Sequence, residues 1–362
     1  MALPRPHHGG NLAWAAALAG CHPHEILDFS ASINPLGPPA SVLEAIAQHL
    51  KDIQAYPDPN ATELRAQLSR FHEVPMDWVM VGNGAAELLT WACRSLSEMA
   101  RVHLLTPAFG DYWRGLKAFD AEVCTHSVMD LGSQGDRGFA LSDLPLPREG
   151  LTAGLLLNNP HNPTGQLFKK SEVLKLTDRF SRIVIDEAFM DFLPSGDQHS
   201  FIPEIAHHSP VVVLRSLTKF YSIPGLRLGY AIGHPELLGQ WQAWRDPWSV
   251  NALAIAAGVA AVQDEWFQAQ TYRWLAEAIP QLREGLAKLP GLEVIPGAVN
   301  FVLVRCDASV MALQESVLKR HKILIRDCVS FAELGDRYFR VAVRTVAENE
   351  RLLAALADAL GG

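Results

Sequence analysis

A chain of 362 residues, 49% of them apolar, is too long for one small core and can bury a large domain plus a smaller one. Its net charge of -8, with no Lys/Arg block, excludes a nucleic-acid surface or an anionic-membrane surface, so an anionic ligand must be gathered by a few local arginines. The five cysteines (Cys21, Cys93, Cys124, Cys306, Cys328) are odd in number and widely spaced, with no CxxC or His/Cys ligand pattern; they read as reduced thiols of a cytoplasmic protein without a metal centre. The opening MALPRPHHGGN has no apolar core preceded by positive charge, and no later run approaches about 18 apolar residues, so neither export nor a membrane span is expected.

In chain order, the segments His7 to Asn11 and Asp28 to Pro39 are rich in Gly, Pro, Ser and Asn and predict loop around a short helix from Leu12 to Ala19. Ser41 is placed to cap a helix carrying Val42, Ala45, Ile46 and Leu50 on one stripe. Asn60 is placed to cap the next, with Leu64, Leu68 and Phe71 at helical spacing, and Tyr56 lies in the turn between the two. Trp78 to Val81 reads as a strand, broken by Gly82-Asn83-Gly84 before a helix beginning near Ala85. A glycine turn feeding a helix start presents backbone N–H groups at the positive end of the macrodipole, which suits a phosphate. Val102 to Leu105 is a buried strand followed by Phe109 and Tyr112; an aromatic there is ordinarily core, but Phe109, or in second place Tyr112, could stack on a cofactor ring. Leu155 to Leu157 runs into NNPHNPTG, a rigid loop by its density of turn formers, where Asn162 can offer an amide donor to a phenolate-like oxygen.

Ile183, Val184 and Ile185 mark a strand buried on both faces, with Asp186 at its carboxyl end, where charge is costly unless paired. A protonated pyridine nitrogen is a suitable partner; a helix cap or a surface acid is the ordinary alternative. Val211 to Leu214 leads into Ser216, Thr218 and Lys219, and Arg227 follows the turn at Pro224-Gly225. A lysine that attacks a carbonyl must be desolvated or set near other cations, while hydroxyls and a guanidinium suit a phosphate. A lone lysine after a strand is ordinarily an exposed loop residue. In this company it points to pyridoxal 5'-phosphate held on Lys219 as a Schiff base.

Strands alternating with helices over residues 45–255 predict an α/β large domain, its mostly parallel sheet covered by helices. Residues 1–44 and 256–362 are expected to form a smaller α+β domain. It would hold a helical stretch from Trp266 to Leu289 and strands over Glu293 to Ile295, Phe301 to Val304 and Ile323 to Ile325. Period-two alternation over Phe339 to Arg344 puts Arg340 and Arg344 on one face. Such arginines are usually solvated; facing a cleft, Arg340 would clamp a carboxylate and Arg326 could take a second anionic group.

YPDP, GNGAAE, NNPHNPTG, DEAFMDF and SLTKFYSIPGLRLGY stand in an order and at spacings that resemble fold type I pyridoxal-phosphate enzymes, in the branch with histidinol-phosphate aminotransferase and threonine-phosphate decarboxylase. The resemblance covers essentially the whole chain. It implies that Lys219 holds the cofactor and shuttles a proton, Asp186 pairs with the pyridine nitrogen and Asn162 bonds the ring oxygen. Ser216, Thr218, Arg227 and the amides of Ala85 and Ala86 would hold the phosphate. Tyr56 would reach the phosphate of a neighbouring subunit, implying a homodimer with shared active sites, and Arg340 matches the family's substrate-carboxylate arginine.

His8-Gly9-Gly10-Asn11 and FSASINPLGPP resemble the N-terminal segment of the decarboxylase, and Phe189 stands where many aminotransferases carry a tyrosine that donates to the ring oxygen. The implied activity is decarboxylation of L-threonine O-3-phosphate to (R)-1-amino-2-propanol O-2-phosphate in cobalamin biosynthesis. His8, Gly9, Asn34, Asn162, Arg326 and Arg340 would then line the substrate. The bond that breaks must stand perpendicular to the pyridine ring, so the anchored substrate phosphate should turn the carboxylate out of the ring plane. Two alternatives stay open: a histidinol-phosphate aminotransferase that passes the amino group to 2-oxoglutarate, and a non-catalytic protein that keeps the cofactor fold.

Overall fold

The computed structural model describes residues 4–129, 141, 144, 152–194, 196–208 and 210–361. They divide into two compact units, one of residues 36–161 and 167–269, the other of residues 1–35, 162–166 and 270–362. Among the described residues the strands are, in chain order, β1 (Leu27–Asp28), β2 (Val79–Asn83), β3 (Arg101–Thr106), β4 (Val123–Ser127), β5 (Ala153–Asn158), β6 (Arg182–Asp186) and β7 (Val211–Ser216). There follow β8 (Leu228–Gly233), β9 (Leu292–Ile295), β10 (Phe301–Cys306), β11 (Ile323–Leu324), β12 (Arg326–Asp327) and β13 (Tyr338–Ala342).

The first unit is built on a seven-stranded sheet in the order β2-β8-β7-β6-β5-β3-β4. Its five strands from β7 to β4 pair in parallel, and β8 runs antiparallel to both β2 and β7. The central strands β5 and β7 are buried at every position, as Leu155 to Leu157 and Val211 to Leu214 require when helices cover both faces. Helix Ala85–Ser97 places Leu88, Leu89, Ala92, Cys93 and Leu96 in a core with Leu104, Leu156, Val184 and Val212. The parallel arrangement brings the carboxyl ends of β5, β6 and β7 to one edge, where such sheets present ligand-binding residues.

Two expected caps are replaced. Helix Ala40–His49 starts after Pro39, and Ser41 Oγ instead donates to Asp264 at 2.6 Å. Helix Thr62–His72 has Ala61 rather than Asn60 at its N-cap, and Asp58 accepts from the Asn60 and Thr62 amides at 2.9 and 2.7 Å. An aspartate spans those two amides better than Asn60, whose own N–H is one of the donors.

In the second unit, an antiparallel sheet in the order β12-β13-β10-β9 packs on helices, with Phe29, Leu282, Leu286, Val304, Val317, Phe339 and Leu352 in its core. The predicted strand over Ile323 to Ile325 is two short pieces. Ile323 and Leu324 pair in parallel with Leu27 and Asp28, while Arg326 and Asp327 join the other sheet. The N-terminal segment thus supplies a strand where the sequence reading had loop. Strand β13 stops at Ala342, so Arg344 does not continue the face that carries Arg340. Its guanidinium is 5.8 Å from the Phe29 ring and donates to Asp28 O at 3.1 Å and Glu348 at 2.9 Å.

Candidate active site

The first unit sets an amine, a carboxylate and an anion cradle at the ends of neighbouring strands. Lys219 lies in the one-turn helix Leu217–Phe220 just past β7, half-buried, with Nζ 4.9 Å from the centroid of the Phe189 ring. At that distance the ring quadrupole attracts an ammonium, which positions the Lys219 side chain beside Phe189. At the end of β6, Asp186 Oδ1 accepts from the Ala188 amide at 2.9 Å and Oδ2 from the Tyr112 hydroxyl at 2.7 Å. These donors hold the carboxylate in one orientation.

Ser216 Oγ and Thr218 Oγ1 are 2.7 Å apart, and Arg227, at φ 57°, donates from Nη1 to Pro224 O at 3.1 Å. Helix Ala85–Ser97 opens after Gly84, which has φ +78° and gives the helix no side-chain cap. A Cβ on Gly84 would lie 2.8 Å from Arg227 Nη2, so the guanidinium crowds the very turn that starts the helix. A Cβ on Gly229 would meet the Ala85 amide nitrogen at 2.4 Å. Helix-start amides, a guanidinium and two hydroxyls on adjoining elements make an anion site of the kind a phosphate monoester needs.

Phe109 is the N-cap of helix Gly110–Ala118, and its ring meets Tyr112 edge-on at 5.7 Å. Tyr112 does not take the stacking role offered to it as second choice. It is 2% exposed, and burial together with Asp186 pushes its phenol well above the ordinary value, so it remains a neutral donor. Sequence reasoning missed this bond because Tyr112 and Asp186 belong to different elements; the aromatic pair at i,i+3 opening a helix was the only signal. Tyr56 is 79% exposed and stacks on Trp248 at 4.5 Å.

A second feature beneath the site was also missed. Arg215, 3% exposed, donates to Glu187 at 2.9 Å and Ser200 at 3.0 Å and pairs with Asp191. Glu187 accepts in addition from Ser200 Oγ and the Phe201 amide, each at 2.7 Å. Burial raises the Glu187 carboxyl against the pull of Arg215. For Arg215, burial alone would lower the guanidinium, but Asp191 and Glu187 outweigh it. Glu187 follows Asp186, and Arg215 precedes Ser216, so this ion cluster fixes the strand ends that carry both.

The second unit holds the other predicted residues. Arg326 and Arg340 are register partners on β12 and β13, 5% and 9% exposed. Arg340 donates to Asn162 Oδ1, lies 4.6 Å over the Phe301 ring, and has a buried Nε with no hydrogen-bond partner. Burial, with a further push from Arg326, lowers its guanidinium to about 10 despite the opposing effect of Cys328. Arg326 donates to the carbonyls of Pro6 and His7 and to Ser330 Oγ at 2.7 Å.

His8, Gly9, Arg326 and Asp327 line one small cleft with Trp14 and Ser30. Gly9 is required there, since a Cβ would lie 2.2 Å from Ser30 O, and the Gly10 amide donates to Ser30 Oγ at 2.8 Å. Asn34 is buried away from that cleft and donates to Thr271 at 2.7 Å. Two buried guanidiniums on neighbouring strands attract an anion strongly, because among the described residues neither pairs with a carboxylate that would offset the cost of burial.

No helix among the described residues is long and apolar enough to cross a membrane. The chain is 40% identical to a threonine-phosphate decarboxylase of Salmonella typhimurium, the match covering 100% of this chain and 99% of that protein. It superposes with TM-score 0.81 and 25% identity on an L-threonine-O-3-phosphate decarboxylase of Porphyromonas gingivalis, covering 93% of this chain and 100% of that one. A histidinol-phosphate aminotransferase of Clostridium acetobutylicum gives TM-score 0.82 and 28% identity, covering 93% and 99%. Backbone shape therefore does not separate the two activities, whereas sequence identity is greater to the Salmonella decarboxylase. Residues 24–356 match the aminotransferase class I and II family, and the chain belongs to that family.

Proposed function

We propose that the protein binds pyridoxal 5'-phosphate and decarboxylates L-threonine O-3-phosphate to (R)-1-amino-2-propanol O-2-phosphate. The observation that carries the reading is the pair of buried arginines, Arg326 and Arg340, facing one another on β12 and β13. A substrate with both a carboxylate and a phosphate answers two guanidiniums, and the full-length likeness to the Salmonella enzyme supports the same substrate.

When bound, the cofactor supplies an electron sink for the pair released as a bond at the substrate α-carbon breaks. Asp186, fixed by Tyr112 and Ala188, keeps negative charge at the pyridine nitrogen. Ser216, Thr218, Arg227 and the amides of Ala85 and Ala86 bind the phosphate, and Phe109 covers the ring. Asn162, its carbonyl turned to Arg340, offers its amide nitrogen to the ring oxygen. Phe189 cannot donate to that oxygen, and its ring lies beside the amine of Lys219.

Arg340 and Arg326, with His8 and the Gly9 backbone, anchor the two anionic groups of the substrate and so choose which α-carbon bond stands upright. Asn34 supports the same unit through Thr271. Lys219 Nζ delivers the proton that replaces the departing carboxylate on the α-carbon. Tyr56, exposed in the single chain, completes the phosphate site of a second copy in a cytoplasmic homodimer.

Incubation of the holoenzyme with threonine phosphate should release CO2 with no 2-oxoglutarate present, and Lys219→Ala should abolish turnover. Strict dependence on 2-oxoglutarate would instead make the chain an aminotransferase.

A further inference from the structure

On the edge of the large sheet, away from the residues assigned above, β3 and β4 pair in parallel with His103 opposite Cys124 and Leu105 opposite His126. Alternation along a strand then puts His103, Cys124 and His126 on one face. One ligand atom from each lies within 4.8 Å of the other two. His103 Nδ1 and His126 Nε2 are 2.9 Å apart, with the rings stacked at 5.0 Å and 12°. His103 is 4% exposed with the Phe180 ring edge-on at 5.2 Å, and Cys124 and His126 are half-buried, open enough for a small ion to enter.

We propose that His103, Cys124 and His126 bind one borderline-soft divalent cation, zinc being the best match, with water as the fourth ligand. Two imidazoles and a thiolate are the donor set such ions prefer. Tetrahedral zinc with bonds of about 2.0 to 2.3 Å places its ligand atoms roughly 3.3 to 3.8 Å apart. The imidazole contact therefore opens by a few tenths of an ångström, a small adjustment for an edge strand, and the ring that donates in the present pair changes tautomer through solvent, losing the proton from its coordinating nitrogen and gaining one on the other. Each neutral ring then carries its single N–H on the nitrogen that does not coordinate, and the Cys124 thiol loses its proton to solvent as the metal–sulfur bond forms.

Around the cluster, the Arg101 guanidinium is engaged by Glu122 and interacts electrostatically with Cys124. Burial lowers both imidazoles, that of His103 to about 4 with further pushes from His126, Arg101 and Arg179. A cation there would tie β4 to β3, its neighbour in the sheet among the described residues.

The test uses the full chain saturated with pyridoxal phosphate, stripped with a chelator, cleared of free cofactor and dialysed against zinc chloride. Wild type should retain about one more zinc per chain than Cys124→Ser or His126→Ala, and zinc should raise its thermal midpoint by several degrees but not theirs. Cobalt(II) should give a thiolate-to-cobalt absorption that Cys124→Ser loses. Unchanged far-ultraviolet circular dichroism and decarboxylase activity would show that the variants fold. Equal zinc content in wild type and both variants, or a cobalt spectrum indifferent to Cys124, would overturn the proposal and leave the cluster a hydrogen-bonded histidine pair.

Discussion

The Tyr112 hydroxyl donates to Asp186 Oδ2 over 2.7 Å, joining the first helical turn after β3 to the end of β6. Tyr112→Phe keeps the ring and removes the donor, leaving a buried carboxylate one bond short. Loss of a bond to a charged group costs about 1.5 to 3 kcal/mol. We expect pyridoxal phosphate affinity to fall roughly tenfold or more by that reckoning, read by equilibrium dialysis. Unchanged affinity would mean that the Ala188 amide alone fixes Asp186.

Gly84→Ala should weaken cofactor binding without replacing any cofactor-facing side chain. At φ 78° and ψ 159°, a region essentially reserved for glycine, an alanine is strained by about 1 to 3 kcal/mol, and its Cβ would push on Arg227 Nη2 from 2.8 Å. The expected signature is a raised dissociation constant for the cofactor, measured by titrating its absorbance, with turnover largely restored at saturating pyridoxal phosphate.

The Arg215 cluster should behave as a buried ion network. Arg215→Met leaves Glu187 and Asp191 without their cation and should cost about 3 to 5 kcal/mol in urea unfolding. Arg215→Met combined with Glu187→Leu and Asp191→Leu should recover much of that loss, since the cost lies in uncompensated charge. A mild single substitution would show that water reaches the cluster.

Arg340 and Arg326 should separate binding from stability. Arg340→Gln relieves the burial of a charge and should leave stability near that of the wild type while raising KM for threonine phosphate by about 10 to 100-fold, the loss expected of a charge-assisted bidentate contact. Arg326→Gln also loses bonds to the Pro6 and His7 carbonyls and should raise KM and loosen the N-terminal segment together, visible as faster proteolysis there.

His161 gives a pH dependence of known sign. It is 1% exposed, and burial lowers its imidazole from the ordinary 6.5 to about 3. Between those values the unfolded chain binds a proton that the folded chain does not, so stability is full above 6.5 and falls as pH drops toward 3. The loss over that window should be roughly 3 to 5 kcal/mol. Urea unfolding at successive pH values should show a flatter dependence in His161→Gln; equal slopes would assign the acid sensitivity to other groups.

Much of the site was legible because its parts are local. A strand end, a glycine turn and a helix start are each set by a few consecutive residues, so Asp186, the Gly84 turn and Lys219 could be placed from Ile183 to Ile185, GNGAAE and Val211 to Leu214. The arginine alternation was half right. Arg340 is on a strand, but Arg344 lies beyond its end and serves Asp28 and Glu348, because pairing with β10 stops at Ala342. The caps failed where one side chain competes with another for the same amides, as Asp58 does with Asn60.

The sequence by itself determined which residue types stand at the ends of which strands, since hydrophobic runs and turn formers act over a handful of neighbours. Only the tertiary structure decided which side chains meet across elements: Tyr112 on Asp186, Arg215 among Glu187, Asp191 and Ser200, and His103 beside Cys124 and His126. The reason is that strand order and register are fixed by burial of the whole sheet. No short stretch of chain holds the information about what a neighbouring strand will bring opposite it.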